Sequence, residues 1–268
     1  MNAPVRRGFS LVEAMVALAL SGVLVAASGS ALFGAMRRAT RERLARAVRH
    51  NVRTAALVLA AELRDVSPGS GDLVVVSDSA VTIRAIRSFS IVCMVRSPNA
   101  VVVSDSLTFA LRGLDASRDS VLLYREGDAL RSDDDGWLAG AAVGVGADRC
   151  PSGEAGTRVT LGGVDLAGVA SGAPLRSFEI QDYRLYRDGA GQWWLGVRAP
   201  EPTGWSATSP IAGPLVPRVG IRIRPLTAGG AAASPGEARL LEVVVRGAVG
   251  SGGTGEDTAL ARVPLRND

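Results

Sequence analysis

The chain has 268 residues, of which 47% are hydrophobic and 4% aromatic, and its formal net charge is +4. This length and composition allow one globular domain of about 200 residues with an aliphatic core. All 30 Lys and Arg residues are arginine, which we attribute to nucleotide bias more than to function. The net charge therefore does not indicate nucleic-acid binding.

The first element is an apolar segment that begins at Phe9 and reaches Met36, directly after Arg6-Arg7-Gly8. Glu13 is the only charged residue within it. A carboxylate in a membrane helix is costly, so an acidic residue at such a position predicts a function.

The order of these residues resembles the type III signal of the type IV pilin superfamily, in which a glycine after basic residues is followed five positions later by a glutamate. The resemblance covers residues 6 to about 33. It implies that a prepilin peptidase cuts after Gly8 and that Phe9, the new first residue, is N-methylated. It also implies that Glu13 pairs with the N-terminal amine of a neighbouring subunit during assembly with other major and minor pilin-type subunits.

Three other interpretations of the same segment stay open. The basic start and the small residues 27–31 fit an ordinary secretory signal cleaved near Ala31, although that leaves Glu13 unexplained. Residues 6–11 also resemble a twin-arginine export signal. Finally, residues 9–36 are long enough to be a plain membrane anchor across about 30 Å of hydrocarbon.

The charges that flank the segment bear on its orientation. Four arginines follow it and two precede it, so the positive-inside rule alone would place the C-terminal part in the cytoplasm. The cleavage motif, which places the leader in the cytoplasm, and the cysteine pair favour the opposite orientation. We therefore expect a single-pass inner-membrane protein whose head lies in the periplasm or on an extracellular filament.

The next segment has the period of an amphipathic helix, with apolar residues at Leu44, Val48, Val52, Ala55, Leu59, Leu63 and Val66. No proline interrupts residues 9–66, and Ser67-Pro68-Gly69 then stops the helix. The pattern predicts one helix ~87 Å long.

Beyond Pro68 the sequence changes to short β-type runs separated by turns. Predicted hairpins join 73–76 to 81–86, 91–95 to 101–103, 121–125 to 129–131 and 183–187 to 193–198, and later strands cover 219–223, 240–245 and 259–265. Segments 139–157, 199–214, 227–238 and 247–256, rich in Gly, Ala, Ser and Pro, are predicted to be loops.

This order predicts an α+β fold in which a long N-terminal helix packs on an antiparallel β-sheet head. We divide the chain into a leader (1–8), a transmembrane and assembly helix (9–36), an amphipathic helix half (37–66) and a β-rich head (67–268).

Two cysteines, Cys93 and Cys150, form an even pair that is compatible with one disulfide in an exported domain. Two buried free thiols are the alternative.

Candidate chemistry in the head is sparse. Gly250, Gly252 and Gly255 have GxGxxG spacing, but too little chain follows for a dinucleotide fold. Residues 133–136, Asp-Asp-Asp-Gly, lack the ligand spacing of a calcium loop, and His50 has no catalytic companion. We expect no enzyme, cofactor, metal site or small-molecule substrate.

Some features of the head are also similar to the larger pilin-type proteins. These are Leu63-Arg64 at the end of the helix, Leu123-Tyr124-Arg125, and the closing residues 263–267. The nearest groups are the W-type minor pilins of type IV pili and the J-type minor pseudopilins of type II secretion. The similarity implies a structural subunit of the filament tip or initiation complex. The alternative is an exported binding domain or enzyme.

Overall fold

The computed structural model describes residues 10–96, 98–127, 130–131, 133–201, 203–248 and 256–266. A single helix, α1 (Leu11–Leu63), begins at the N-cap Ser10 and ends at the C-cap Arg64. The predicted continuous helix is confirmed, and it ends three residues before the predicted end.

The rest of the described chain is antiparallel β-structure with one short 3₁₀ helix at Pro235–Glu237. The strands are β1 (Leu73–Ser77), β2 (Ala80–Arg96), β3 (Ala100–Ser104), β4 (Phe109–Ala110), β5 (Ser120–Arg125), β6 (Gly136–Arg149), β7 (Ala155–Gly162), β8 (Pro174–Arg187), β9 (Trp193–Arg198), β10 (Pro200–Glu201), β11 (Gly204–Trp205), β12 (Ser209–Leu215), β13 (Ile221–Leu226), β14 (Leu240–Ala248) and β15 (Glu256–Pro264). The α+β prediction is confirmed.

Six strands of the large sheet close into a small barrel. The hydrogen-bonded pairs run β2–β3, β3–β7, β7–β6, β6–β5 and β5–β8, and β8 then pairs with β2 along residues 174–184. All six strands contribute side chains to one buried apolar cluster, which includes Val92, Val101, Leu123, Ala142, Leu161 and Leu175. The barrel therefore has its own core.

A second core joins the C-terminal half of α1 to the sheets. Leu59 and Leu63 are fully buried there against residues of β1, β2, β8, β9, β12 and the three-stranded sheet β13–β14–β15. Strands β2 and β8 contribute to both cores, since Ile83 and Tyr183 lie in the helix core while Val92 and Leu175 lie in the barrel core. These two long strands connect the barrel to the part of the head that holds the helix.

Two predicted loops and one predicted hairpin are wrong. Strand β5 pairs with β6, not with 129–131, where Leu130 lies in a turn and Ala129 is outside the described residues. Segment 139–157, predicted as a loop, holds most of β6 and the start of β7, and segment 199–214 holds most of β12. Glycine in β7 serves close packing, because a Cβ on Gly156 would lie 2.8 Å from the carbonyl oxygen of Val103. Low β-propensity of Gly and Ala thus misled the prediction.

A disulfide joins Cys93 of β2 to Cys150, the residue after β6, with their Cα atoms 5.6 Å apart. Strands β2 and β6 are not hydrogen-bonded neighbours in the described sheet, so the bond cross-links separate parts of the barrel wall.

We expect the double substitution Cys93→Ser and Cys150→Ser to lower the free energy of unfolding by ~4 kcal/mol, because the disulfide closes a long loop in the unfolded chain. Urea unfolding of a soluble form that lacks residues 1–36, purified from the periplasm, measures this effect. Thiol titration of the unfolded parent is the control. Two reactive thiols in the parent, with equal stabilities for parent and variant, would contradict the prediction.

Candidate functional site: the exposed N-terminal helix

The start of α1 is fixed by a reciprocal pair of hydrogen bonds between Ser10 and Glu13. The backbone N–H of Glu13 donates to Ser10 Oγ at 3.2 Å, and the backbone N–H of Ser10 donates to Glu13 Oε2 at 3.1 Å. This capping box satisfies two backbone donors and places a carboxylate at the positive end of the helix dipole. The Glu13 carboxylate therefore points back towards the backbone of Ser10, the first described residue.

The first half of the helix has no packing partner within the described chain. Twelve large apolar side chains between residues 11 and 36 are exposed, among them Leu11 at 79%, Leu18 at 73% and Val25 at 72%. The helix is long and apolar enough to cross a membrane. An apolar surface of this size requires lipid or other helices around it. These features fit a single-pass membrane-anchored protein.

Small residues interrupt this apolar surface at Gly22 and Gly29. A Cβ added at either position would meet no heavy atom within 4 Å. Contacts within the described chain therefore do not require glycine there, although each glycine weakens the helix by ~1 kcal/mol relative to alanine.

The second half of the helix is attached firmly to the head. Burial begins at Val48, and the predicted apolar face is confirmed except at Leu44, which is exposed. A Cβ on Gly247 of β14 would lie 2.6 Å from side-chain atoms of Val48 and Val52, so the helix lies directly on the strand. The Asn51 side-chain amide also donates to the carbonyl oxygen of Gly213.

A chain of ion pairs connects the end of α1 to the barrel. Glu62 pairs with Arg87 of β2 at 3.2 Å, and Arg87 lies 3.6 Å from Glu179 of β8. Glu179 also pairs with Arg112 and, at 3.2 Å, with Arg118. Burial raises the pKa of Glu179, but hydrogen bonds from Arg112 and Gln181 and the charge of Arg87 outweigh it, so the net pKa lies below the ordinary value. The ionised carboxylate thus holds helix and barrel together.

We expect Glu179→Gln to destabilise the head by roughly 3 kcal/mol at neutral pH, because its arginine partners lose a buried counter-charge. Because the pKa of Glu179 is lower in the folded protein, its ionised carboxylate stabilises the fold fully at pH values above the unfolded-state pKa of about 4.3. This stabilisation is lost as the pH falls through the lower, folded-state pKa of Glu179. The difference between parent and variant should therefore shrink below about pH 4.

Urea unfolding across this pH range measures the difference. Glu242→Gln is the matched control, since its pair with Arg262 is largely solvent-exposed on the arginine side and should contribute less than ~1 kcal/mol. A Glu179→Gln effect that is independent of pH would mean that the carboxylate acts only through its shape.

Of the other sequence candidates, some lie outside the described residues and the rest contact side chains or backbone close to them in the sequence. Gly8 and Phe9, the predicted cleavage and methylation positions, lie outside the described residues, as do Gly250, Gly252 and Gly255. Asp135 accepts hydrogen bonds from the Tyr124 hydroxyl and the Gly127 N–H, and Asp133 pairs with Arg131. Within the described ranges, no group of three or more His, Cys, Asp or Glu side chains is arranged to hold a metal ion.

Two features escaped the sequence analysis. The capping box had a signal, since Ser10 and Glu13 have the spacing S-x-x-E. The ion-pair chain around Glu179 had no signal in the sequence, because its members are separated by up to 117 positions, from Glu62 to Glu179.

Comparison with protein families identifies the N-terminal segment. The model of the prokaryotic N-terminal methylation motif matches residues 4–29, which include Gly8, Phe9 and Glu13. This motif is typical of the precursors of type IV pilins and pseudopilins, and the resemblance stated from the sequence is confirmed to that extent. Neither the curated proteins nor the solved structures gave a match to the chain.

Proposed function

We propose that the chain is a prepilin whose mature form is a minor subunit of a type IV pilus or of a type II secretion filament. The observation that carries the proposal is the coincidence of the methylation motif with an apolar helix whose large side chains are exposed. A signal peptide needs only the apolar segment. A filament subunit also needs that segment to remain continuous with its head, as α1 is.

Maturation follows from the position of the motif. A prepilin peptidase on the cytoplasmic side of the inner membrane cuts after Gly8 and methylates the new amine of Phe9. That amine then precedes Ser10, whose N–H is held by the Glu13 carboxylate. Processing thus places a positive charge beside the only acidic side chain of the apolar segment.

Assembly uses the exposed half of the helix. In a bundle of such helices, the exposed apolar side chains of residues 11–36 exchange lipid contacts for helix contacts, and Gly22 and Gly29 permit close approach. Glu13 exchanges its capping hydrogen bond for an ion pair with the N-terminal amine of the adjacent subunit. The carboxylate is then neutralised by a cation at the same depth.

The size of the head supports a place at the tip or in the initiation complex. The barrel adds a second core beside the one that holds the helix, and so bulky a head would crowd a uniform shaft. The head lies in the periplasm or on the extracellular filament, where the disulfide between Cys93 and Cys150 is stable. The protein acts as a structural subunit, not as an enzyme.

The continuous helix also bears on the alternative of an exported soluble domain. Cleavage near Ala31 would cut α1 within its exposed half and leave an apolar stub on the head. We therefore do not favour a secretory signal.

Co-fractionation in the native host tests the proposal. The full chain with a C-terminal tag should co-purify with other subunits that carry the methylation motif, from the inner membrane or from sheared filaments. A form that begins at residue 37 is the matched control and should be soluble and monomeric. If the full chain is recovered as a soluble monomer in the periplasm, the proposal is wrong.

A further inference from the structure

Positive charge is concentrated in one segment of α1. Residues 37–53 contain seven arginines and one acidic residue, a net charge of +6, whereas residues 54–268 contain 21 arginines and 24 acidic residues, a net charge of −3. We name the seven side chains the arginine collar: Arg37, Arg38, Arg41, Arg43, Arg46, Arg49 and Arg53. A strongly basic segment beside a head that is nearly neutral attracts anionic partners to that segment.

The collar lies between the apolar half of the helix and the head. It begins directly after Met36, the last exposed apolar residue of the membrane-length segment, and burial against the head begins at Val48. Its first four arginines span ~9 Å along the helix axis. A phospholipid headgroup layer is about 6 Å thick, and arginine side chains can reach along the helix to meet it.

The arginines surround the helix. At 3.6 residues per turn, Arg37, Arg38 and Arg41 fall on the side that carries Val48 and Val52, below the head. Arg43, Arg46 and Arg53 fall on the other side, and all seven arginines are exposed. A planar layer of phosphates surrounds a crossing helix in every direction. A duplex nucleic acid or an acidic protein surface would contact one side only.

Little of this charge is neutralised within the molecule. In the described part of the chain, ion pairs join Arg46 to Glu42 at 3.4 Å and Arg49 to Asp257 at 3.9 Å. The first pair is highly exposed on both sides, so it contributes little. The four arginines nearest the apolar segment keep their charge available for a ligand.

We propose that the arginine collar binds the phosphate groups of anionic phospholipids in the leaflet beside the head, and that this contact sets the depth of the helix. About 30 Å of hydrocarbon takes ~20 helical residues, so a boundary at Met36 puts the other boundary near residue 17. Glu13 then lies ~6 Å beyond the hydrocarbon, in the opposite headgroup layer. The contact thereby keeps the carboxylate of an unassembled subunit out of the hydrocarbon core. The proposal rests on the membrane span and not on filament assembly.

Native mass spectrometry of the full chain tests the contact. The protein, purified in a mild detergent, is mixed with equal amounts of phosphatidylglycerol and phosphatidylcholine, and the retained lipids are counted. The collar variant replaces Arg37, Arg38, Arg41 and Arg43 by Gln, which is a good helix former. The matched control replaces four exposed head arginines by Gln, namely Arg131, Arg149, Arg224 and Arg239. Both variants lose four charges, and both keep Arg6 and Arg7.

The parent and the control should retain phosphatidylglycerol over phosphatidylcholine by at least about tenfold, since one arginine at an anionic surface contributes about fivefold and the collar variant removes four of them. The collar variant should lose most of this preference while its circular dichroism stays that of the parent. High salt should weaken the preference of the parent. No preference in the parent, or an equal preference in the collar variant, would overturn the proposal. Binding of a short DNA duplex that depends on the collar, without any preference for the anionic lipid, would also overturn the proposal. That result would identify the arginine collar as a nucleic-acid surface.

Discussion

Replacing Gly8 by leucine is expected to leave nearly all of the protein as unprocessed precursor in the inner membrane. The methylation motif covers residues 4–29 and places Gly8 immediately before the proposed cleavage point. Glycine has no Cβ, so it permits the close backbone approach that a peptidase needs at the scissile bond. Immunoblotting of membrane fractions separates the precursor from the mature chain, which lacks eight leader residues.

Asn2→Ala is the matched control, because it changes the leader outside the matched segment and should be processed like the parent. Normal processing of the Gly8→Leu protein would count against the assignment of the cleavage point. A precursor that accumulates in both variants would instead indicate a general defect in export.

Removing the charge of Glu13 is expected to abolish most assembly with other subunits while leaving cleavage and membrane insertion nearly unchanged. Two substitutions distinguish the effect of the Glu13 charge from the effect of the helix cap. Glu13→Gln keeps an acceptor for the Ser10 N–H and so preserves the capping box, but it cannot form an ion pair with an amine. Ser10→Ala removes the cap acceptor for the Glu13 N–H and keeps the charge. Losing one cap costs ~1 kcal/mol at the end of a long helix, which should not prevent its insertion.

Co-purification with other motif-bearing subunits and the number of filaments per cell measure the effect. The Glu13→Gln and Glu13→Ala proteins should both fail to assemble, whereas the Ser10→Ala protein should assemble. If Glu13→Gln assembles as well as the parent, the carboxylate serves only as a helix cap and the proposed ion pair does not exist.

The helix could be predicted well from the sequence and the barrel could not. Helical periodicity from Val48 to Leu63 reports the buried face directly, since each of these residues contacts the same core. Closure of the barrel depends on the pairing of β2 with β8, in which Ala80 lies opposite Arg184. No local sequence pattern predicts a pairing between strands so far apart in the chain. Strand β6 was also not predicted, because its sequence is rich in Gly and Ala, which have low β-propensity.

The candidate site, too, could be predicted from the sequence only in part. Gly8, Phe9 and Glu13 could be proposed as functional residues because their spacing is local and specific, and the matched motif spans all three. The arginine collar was visible as a run of arginines, but its ring arrangement emerged only when the buried face of α1 was known. Glu179 gave no signal, because an isolated glutamate in a strand carries no information about arginines contributed by other segments.

The N-terminal residue of the mature protein tests the prepilin assignment most directly. Mass spectrometry of the N-terminal peptide from membrane-extracted protein should find Phe9 as the first residue, with a methyl group on its amine. A mature chain that begins near residue 32, or one that still begins at Met1, would contradict the assignment.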